Sequence, residues 1–520
     1  MNKIFVLFCL LFVQITSTSG QVTWSGDVAN IIYTNCSNCH NSNGIGPFTL
    51  MSYQDASMNG LGIQSAVEDH IMPPWPPNSA YNRLAHERVL TAEQITTISD
   101  WVNNGMLRGD STQEPAAPIF SSAEEITTPD LTLTIPSFNV NTTSDLYRCF
   151  VLPSGLTSLK YLTGLETVPG VRSIVHHVLI YMDTTNVPAT LDANDPGPGY
   201  TAFGGTGSSA SKLIGVWVPG QGAYFAPQGM GIRLPANCSI ILQIHYPAGI
   251  SGQTDATKIN IQYTSSFRRE IYIEAVLNHY QLDQGFLRIP ANTIRTFTAN
   301  YQLPINISAL GVGPHMHLIG KSIRSWAITP TTDTIPFIDI PNWDFHWQGI
   351  YSFPRVLKLP IGTTLYSTAF YDNTVNNPNN PNNPPVTVNL GESTTDEMML
   401  IYFAYTNYLP GDENIIIDST IVTAIPEMKD AIVQTCQLYD PSPNPAVENC
   451  NVSYYLPTSG SYTLILTDQQ GKIVQELSSG TRATSGFYST GISVSKFKSG
   501  VYYIVLNSNG VSRTKRLVVR

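Results

Sequence analysis

Residues 240–246 read Ile240-Ile241-Leu242-Gln243-Ile244-His245-Tyr246. A short, almost wholly apolar run of this kind has the length of a strand, and its two polar members lie two residues apart, on one face of an extended chain. Comparable runs occur at 131–135, 174–181 and 271–277, separated by stretches rich in Gly, Pro and Asn. That punctuation predicts β-sandwich architecture for the middle of the chain.

Working outward, 520 residues are enough for three or four domains. Charged residues are only 12% of the chain, so turns and strands should outnumber long surface helices. The net charge of -10 comes with no block of Lys or Arg, which argues against nucleic acid as a partner. Residues 1–20 read as a signal peptide, with Lys3, an apolar stretch from Ile4 to Val13, and small residues ahead of a cleavage site near Gln21. No later run of 18 apolar residues occurs, so the mature chain is not expected to be an integral membrane protein. Export permits disulfides. Beyond Cys9 of the leader, six cysteines remain: Cys36, Cys39, Cys149, Cys238, Cys436 and Cys450.

Cys36-Ser37-Asn38-Cys39-His40 is a C-x-x-C-H motif. Two thiols at this spacing can bond the two vinyl groups of one porphyrin, and the adjacent His40 then ligates the iron. A disulfide or half a zinc site is the plainer alternative. A helix is expected over 27–35, and Thr91-Ala92-Glu93-Gln94 is a capping box that opens a second, ended by Gly105. Met72, in Ile71-Met72-Pro73-Pro74-Trp75, is the candidate second axial ligand, held by two stiff prolines. Its alternatives are a packed core methionine, or His70, Met51 or Met58 as ligand. The segment 24–109 resembles the cytochrome c domains fused to bacterial oxidoreductases, in which a Met-Pro-Pro-Trp segment recurs. A linker is expected over 110–130.

Three places with histidine stand out: Val175-His176-His177-Val178, then Gln243-Ile244-His245-Tyr246, then Pro314-His315-Met316-His317-Leu318. In a strand, His315 and His317 share a face and can close on one metal. A fourth place, Asp396-Glu397-Met398-Met399, offers a thioether that favours Cu(I). Singly, each is more often core packing. In this order they resemble the copper type II, ascorbate-dependent monooxygenases, the family of the peptidylglycine α-hydroxylating and dopamine β-monooxygenases, over about 131–430. The resemblance implies two jelly-roll-like β-sandwich copper domains, 131–268 and 269–430. It implies an electron-transfer copper on His176, His177 and His245, and an oxygen-binding copper on His315, His317 and Met398. Gln243 would order water or substrate between them, and Tyr402 would lie near substrate. A surface position for Gln243 and core packing for Tyr402 are the alternatives.

Two departures bear on substrate. Peptide-amidating members carry an Arg where this chain has Gly313, and a polar residue where it has Leu400. Both argue against a C-terminal peptide glycine, leaving the small-molecule or peptide substrate open. A Cys149–Cys238 bridge is one pairing, with Cys436–Cys450 as another. His279 and His346 fit no ligand position of the family and are expected to be structural, though His346 lies in a polar-aromatic stretch that can line a pocket. The Asn/Pro run 376–385 should be a long loop inside the second copper domain.

Residues 437–520 open on Pro441-Ser442-Pro443-Asn444-Pro445, with strands expected at 450–456, 461–467, 500–506 and 511–519 and a turn at Asn509-Gly510. This immunoglobulin-like module resembles the C-terminal sorting domain of the type IX secretion system. The whole reads as a secreted copper monooxygenase that uses O2 and an external electron donor, holding two coppers and one covalent c-type haem. The partner implied for export is the type IX machinery. The rival reading is a cell-surface redox or metal-binding protein with no hydroxylase activity.

Overall fold

The computed structural model describes residues 21–42, 44, 46–120, 124–202, 204–345, 347–422, 436–438, 441, 444–456, 460–482, 486–508 and 511–520. The expected signal peptide at 1–20, His346 and the Asn509-Gly510 turn lie outside them. The chain divides into two compact units, Met1–Trp75 with Arg88–Ser122, and Pro76–Glu87 with Ala123–Arg520.

The first unit is helical. Thr23 accepts a hydrogen bond from the Gly26 N–H (3.2 Å) and opens a π-helical turn, Trp24–Val28, that runs into the helix Ala29–Asn35. The helix thus begins earlier than the expected 27–35, because the cap lies upstream. Short helices follow at Tyr53–Met58 and Gly60–Glu68. The Thr91–Gln94 capping box forms as expected and starts Ala92–Asn103, and Gly105, at φ 88°, takes the left-handed conformation just past its end. Trp24 and Trp101 are both fully buried with ring centroids 5.9 Å apart. Burying a side chain of this size contributes up to roughly 5 kcal/mol. Trp24 Nε1 donates to Glu114 Oε1 (2.9 Å), so the start of the expected linker is fastened to this unit.

The second unit is built from antiparallel sheets. One has the order Tyr200–Thr201, Leu146–Pro153, Ser239–Tyr246, His177–Asp183, Lys212–Trp217. Another runs Leu131–Thr134, Lys258–Thr264, Lys160–Val168, Met230–Leu234, ending on a short parallel pairing with Arg269–Glu270. They share one core, in which Ile240, Leu242, Ile244 and Tyr246 meet Leu162, Leu165, Ile259 and Ile261. The alternate residues Ile241, Gln243 and His245 point to the opposite face, yet they too are buried. Burial on both faces is why this strand reads as a nearly continuous apolar run.

A second sandwich pairs the sheet Tyr272–Asn278, Leu400–Asn407, Ile307–His315, Tyr351–Leu359 with the sheet Thr293–Gln302, Thr364–Asn373, Gly320–Ile328, Thr334–Ile340. Phe337 from one meets Phe403 (5.1 Å) and Phe353 (5.9 Å) from the other. The Asn/Pro run is a loop, as expected, but a tightly bonded one. Asn373 Nδ2 donates to Ile289 O (3.0 Å) and Val386 O (2.7 Å), and Asn377 Nδ2 to Asp372 O (2.7 Å).

Three expectations need correction. Residues 24–109 are not one continuous domain, because 76–87 form a strap on the second sandwich. There Tyr81 and Leu84 are buried, Asn78 N–H donates to Asp339 O (2.8 Å) and Ala85 N–H to Ser352 O (2.8 Å). The 110–130 stretch is not a free linker, since the Glu125 and Ile126 N–H groups donate to the Glu166 carboxylate at 2.7 and 3.1 Å. Among the described residues no two cysteines form a disulfide. Strand register explains why: Cys149 lies opposite Gln243, while Cys238 sits beside Ser154 (3.5 Å), roughly 17 Å further along the ladder. Likewise Gln437, next to Cys436, pairs with Tyr455, whereas Cys450 pairs with Ile492 roughly 20 Å from Cys436.

The C-terminal module has a three-stranded sheet, Gln437–Leu438, Asn449–Leu456, Gly486–Ser493, and a four-stranded one, Ile473–Arg482, Gly460–Thr467, Gly500–Ser508, Val511–Val519. The four expected strands are present, together with Ile473–Arg482 and Gly486–Ser493, which are rich in Ser, Thr and Gly and lack an apolar signal.

Candidate functional site

The outer face of the Gln243 strand builds the first cluster. Register places His245 opposite His177 on one side and Tyr147 on the other, and the His176 N–H donates to His245 O (2.9 Å). His176, His177 and His245 each offer a ring nitrogen, all within 4.8 Å of one another. Ligands about 2.0–2.1 Å from a tetrahedral ion lie about 3.3 Å apart, so small ring rotations would close this set on one metal. Tyr147 stacks flat on His245, 4.4 Å away with 2° between the planes, which fixes that ring. Asp145 Oδ1 lies 3.4 Å from His245 Nε2.

The second cluster belongs to the other sandwich. His315 ends the strand Ile307–His315, and His317 falls just beyond it rather than within, as the sequence had led one to expect. The two rings still meet, with centroids 5.0 Å apart, while Met316 between them is buried against Gly320. His315 Nδ1 is bonded to Gln348 Oε1 (2.5 Å) and His317 Nδ1 to Asp396 O (3.1 Å). Both partners are acceptors, so both Nδ1 atoms carry the proton and both Nε2 atoms are left to a metal. Burial pushes the His315 pKa down to about 3, with His317 adding to the effect, and that of His317 down to about 4. Neutral imidazoles are the metal-binding form.

Met398 is buried beside them, and Glu397 ties the two pieces together. Its fully buried carboxylate accepts from His317 N–H (2.9 Å), Ile319 N–H (2.9 Å) and Met398 N–H (3.1 Å). Burial pushes its carboxyl up to about 8 against the pull of these donors. Tyr371 Oη donates to Met398 O (2.8 Å), holding the methionine from the opposite sheet. The Glu397 brace and the Tyr371 bond were missed in the sequence, although Glu397 stands inside the motif that supplied Met398.

One cavity of about 370 Å³ is lined by His177 and Tyr147 from the first sandwich and by His315, His317 and Met398 from the second. Gln243 also lines it but is buried, not on the surface. Both of its amide hydrogens go to backbone carbonyls, Ala202 O (3.0 Å) and Gly205 O (2.7 Å), so its donors hold the 202–205 loop. Tyr402 is half-buried in the wall, opposite Gly313 in the sheet register, and burial raises its pKa. His279, read as structural, lines the same cavity.

In the helical unit, Cys36, Cys39 and His40 share one turn, with Cys39 N–H and His40 N–H both donating to Cys36 O (3.1 and 3.0 Å). His40 Nδ1 is bonded to Phe48 O (3.0 Å), which leaves Nε2 to an iron. Gly46 packs so closely that a Cβ there would lie 2.6 Å from His40 Nδ1. Burial pushes the Cys36 thiol up to about 12. Met72 is 37% exposed, which removes the packed-core alternative.

The family described as the secretion system C-terminal sorting domain matches residues 442–520. The chain therefore carries a sorting domain for export by type IX secretion to the cell surface or beyond. No helix among the described residues is long and apolar enough to cross a membrane. The chain is similar to tyramine beta-hydroxylase of Caenorhabditis briggsae, 24% identical over 302 residues that cover 52% of this chain and 46% of the relative. It thus spans about half the length of that curated relative. Among solved structures, a peptide-N(4)-(N-acetyl-β-D-glucosaminyl) asparagine amidase is 9% identical, over 54% of this chain and 97% of the other, with a TM-score of 0.23. PNGase F from Flavobacterium meningosepticum is 10% identical, over 54% and 96%, with a TM-score of 0.24. Likeness at those scores carries no argument about fold or chemistry.

Proposed function

We propose that this exported chain is a copper monooxygenase that inserts one oxygen atom of O2 into a substrate C–H bond, with electrons passed by a c-type haem in the helical unit. The observation that carries this reading is that His177 of one imidazole cluster and His315, His317 and Met398 of the other line a single cavity. The distant similarity to tyramine beta-hydroxylase supports the monooxygenase class. The balance is one O2, two electrons and two protons per substrate C–H, giving an alcohol and water.

His176, His177 and His245 would hold one copper, and His315, His317 and Met398 the other. Copper bound there would supply single-electron transfer and O2 activation. The chain's own residues do the rest. Gln348 and the Asp396 carbonyl fix the protons of His315 and His317 on Nδ1 and aim both Nε2 atoms. Glu397 locks the loop that carries His317 to the backbone of Met398, so the ligand set is preorganised. Phe345, Leu400 and Tyr402 line the same cavity and offer ring and apolar surface to a bound substrate. Cys36, Cys39, His40 and Met72 would hold the haem, which would supply one electron at a time.

The test is metal analysis of the purified full-length protein, expecting two coppers and one haem per chain, followed by O2 uptake with amine substrates, tyramine first. Fewer than two coppers would overturn the reading. Two coppers and a haem with no substrate-dependent O2 uptake would leave the electron-transfer protein instead.

A further inference from the structure

His279 follows the strand Tyr272–Asn278 and lines the cavity between the two clusters. It is 9% exposed, and its Nδ1 has no hydrogen-bond partner among the described residues. Its ring meets Tyr280 edge-on at 4.5 Å and lies near enough to His315 and His317 to help lower their pKa values. A buried imidazole without a partner is costly, and native proteins rarely keep one without a use. The fold does not need it here. The turn that presents it is closed by other groups: Asn278 N–H donates to Gln281 Oε1 (2.9 Å), Tyr280 N–H to Asn278 Oδ1 (3.0 Å) and Gln281 N–H to Asn278 O (3.0 Å). The backbone that carries the ring is thus fixed at the cavity wall, with Nδ1 left over.

Burial keeps this imidazole neutral, so it can either donate or accept. Among the residues that line the cavity, none is Lys or Arg, and Glu392 is the one acid. A neutral ring in such a wall matches a group that both gives and takes hydrogen bonds. We propose that His279 hydrogen-bonds a hydroxyl or amide group of the molecule that fills the cavity, and so selects the substrate of the monooxygenase. The substrate clause rests on the copper monooxygenase reading. The assignment of His279 as a ligand-anchoring side chain rests on its own burial and lack of a partner.

Two arms test this on the full-length protein. In the first, His279→Leu replaces the ring with an apolar side chain. Copper content should equal that of the wild type, and the thermal midpoint should rise by about 2–4 °C, because a buried unpaired polar group is removed. A midpoint that falls or stays unchanged overturns the proposal, since a ring that supports the fold costs stability when lost. In the second, turnover of tyramine is followed. His279→Leu should raise KM at least tenfold with a smaller change in kcat, and His279→Asn, which keeps a hydrogen-bonding group, should recover part of the loss. Equal KM values for wild type and His279→Leu overturn substrate selection. If the wild type itself takes up no O2 with tyramine, that failure falls on the monooxygenase reading, and the first arm still decides the role of His279.

Discussion

Replacing Glu397 with Gln tests the brace under the second cluster. In the native chain Oε2 accepts from the His317 and Met398 N–H groups and Oε1 from the Ile319 N–H. An amide keeps one acceptor oxygen. The better of its two orientations saves the His317 and Met398 bonds and turns an NH2 against the Ile319 N–H, donor to donor. With the carboxyl pushed up to about 8 the bonds at neutral pH are to an uncharged group, so the bond lost is about 0.5–1.5 kcal/mol, and a buried donor is left unpaired, about 1–3 kcal/mol. The two terms overlap, so the expected destabilisation is about 2 kcal/mol. Because the Ile319 N–H loses its acceptor, the His317 loop should also loosen relative to Met398. Partners behind a metal ligand typically carry about 10–100-fold in affinity. Urea unfolding followed by tryptophan fluorescence reads the first effect, and copper titration the second, with one copper weakened and the other unchanged. Wild-type unfolding and two copper sites of unaltered affinity in Glu397→Gln would refute the reasoning.

Other outcomes follow from other parts of the molecule. Asp412 accepts from Arg269 (2.7 and 2.8 Å), Ser308 and the Leu409 N–H; burial pushes its carboxyl up, but these bonds outweigh it and hold the pKa below the ordinary value. Its contribution is therefore present above about pH 4 and lost as pH falls through the depressed pKa, and Asp412→Ala should cost about 3–5 kcal/mol at pH 7 and flatten the acid limb of the stability curve, as read by denaturation at several pH values. Gly46→Ala should displace His40 and lower covalent haem content in a pyridine haemochrome assay without changing copper content, because the added Cβ would lie 2.6 Å from His40 Nδ1. Deleting 442–520 should keep the protein from the cell surface and medium, measured by cell fractionation, and an unchanged distribution would deny the sorting role.

The parts that the sequence made legible are those whose signal is local. The Thr91–Gln94 cap, the apolar run 240–246 and the four expected strands of the C-terminal module each act within a few residues, and each formed. The His176–His177 and His245 cluster was legible only through the order of motifs, since a ladder between distant strands brings them together. What escaped notice depends on partners far away in the chain. Nothing within residues 76–87 announces that their hydrogen bonds lie on strands some 250 residues later. His279 was set aside because it matched no ligand position, and only the folded cavity reveals that its Nδ1 has no partner among the described residues. The cysteine pairings failed for a related reason: spacing says nothing of register, and register holds the thiols apart.

The strap at 76–87 has a practical corollary for dissecting this protein. A gene fragment ending at residue 109 would carry Tyr81 and Leu84 away from the sheets that shelter them, and a fragment starting at residue 110 would leave an uncovered groove in their place. The two compact units are interleaved along the polypeptide, so they should be expressed together, and replacing the helical unit at a single splice point would damage its neighbour.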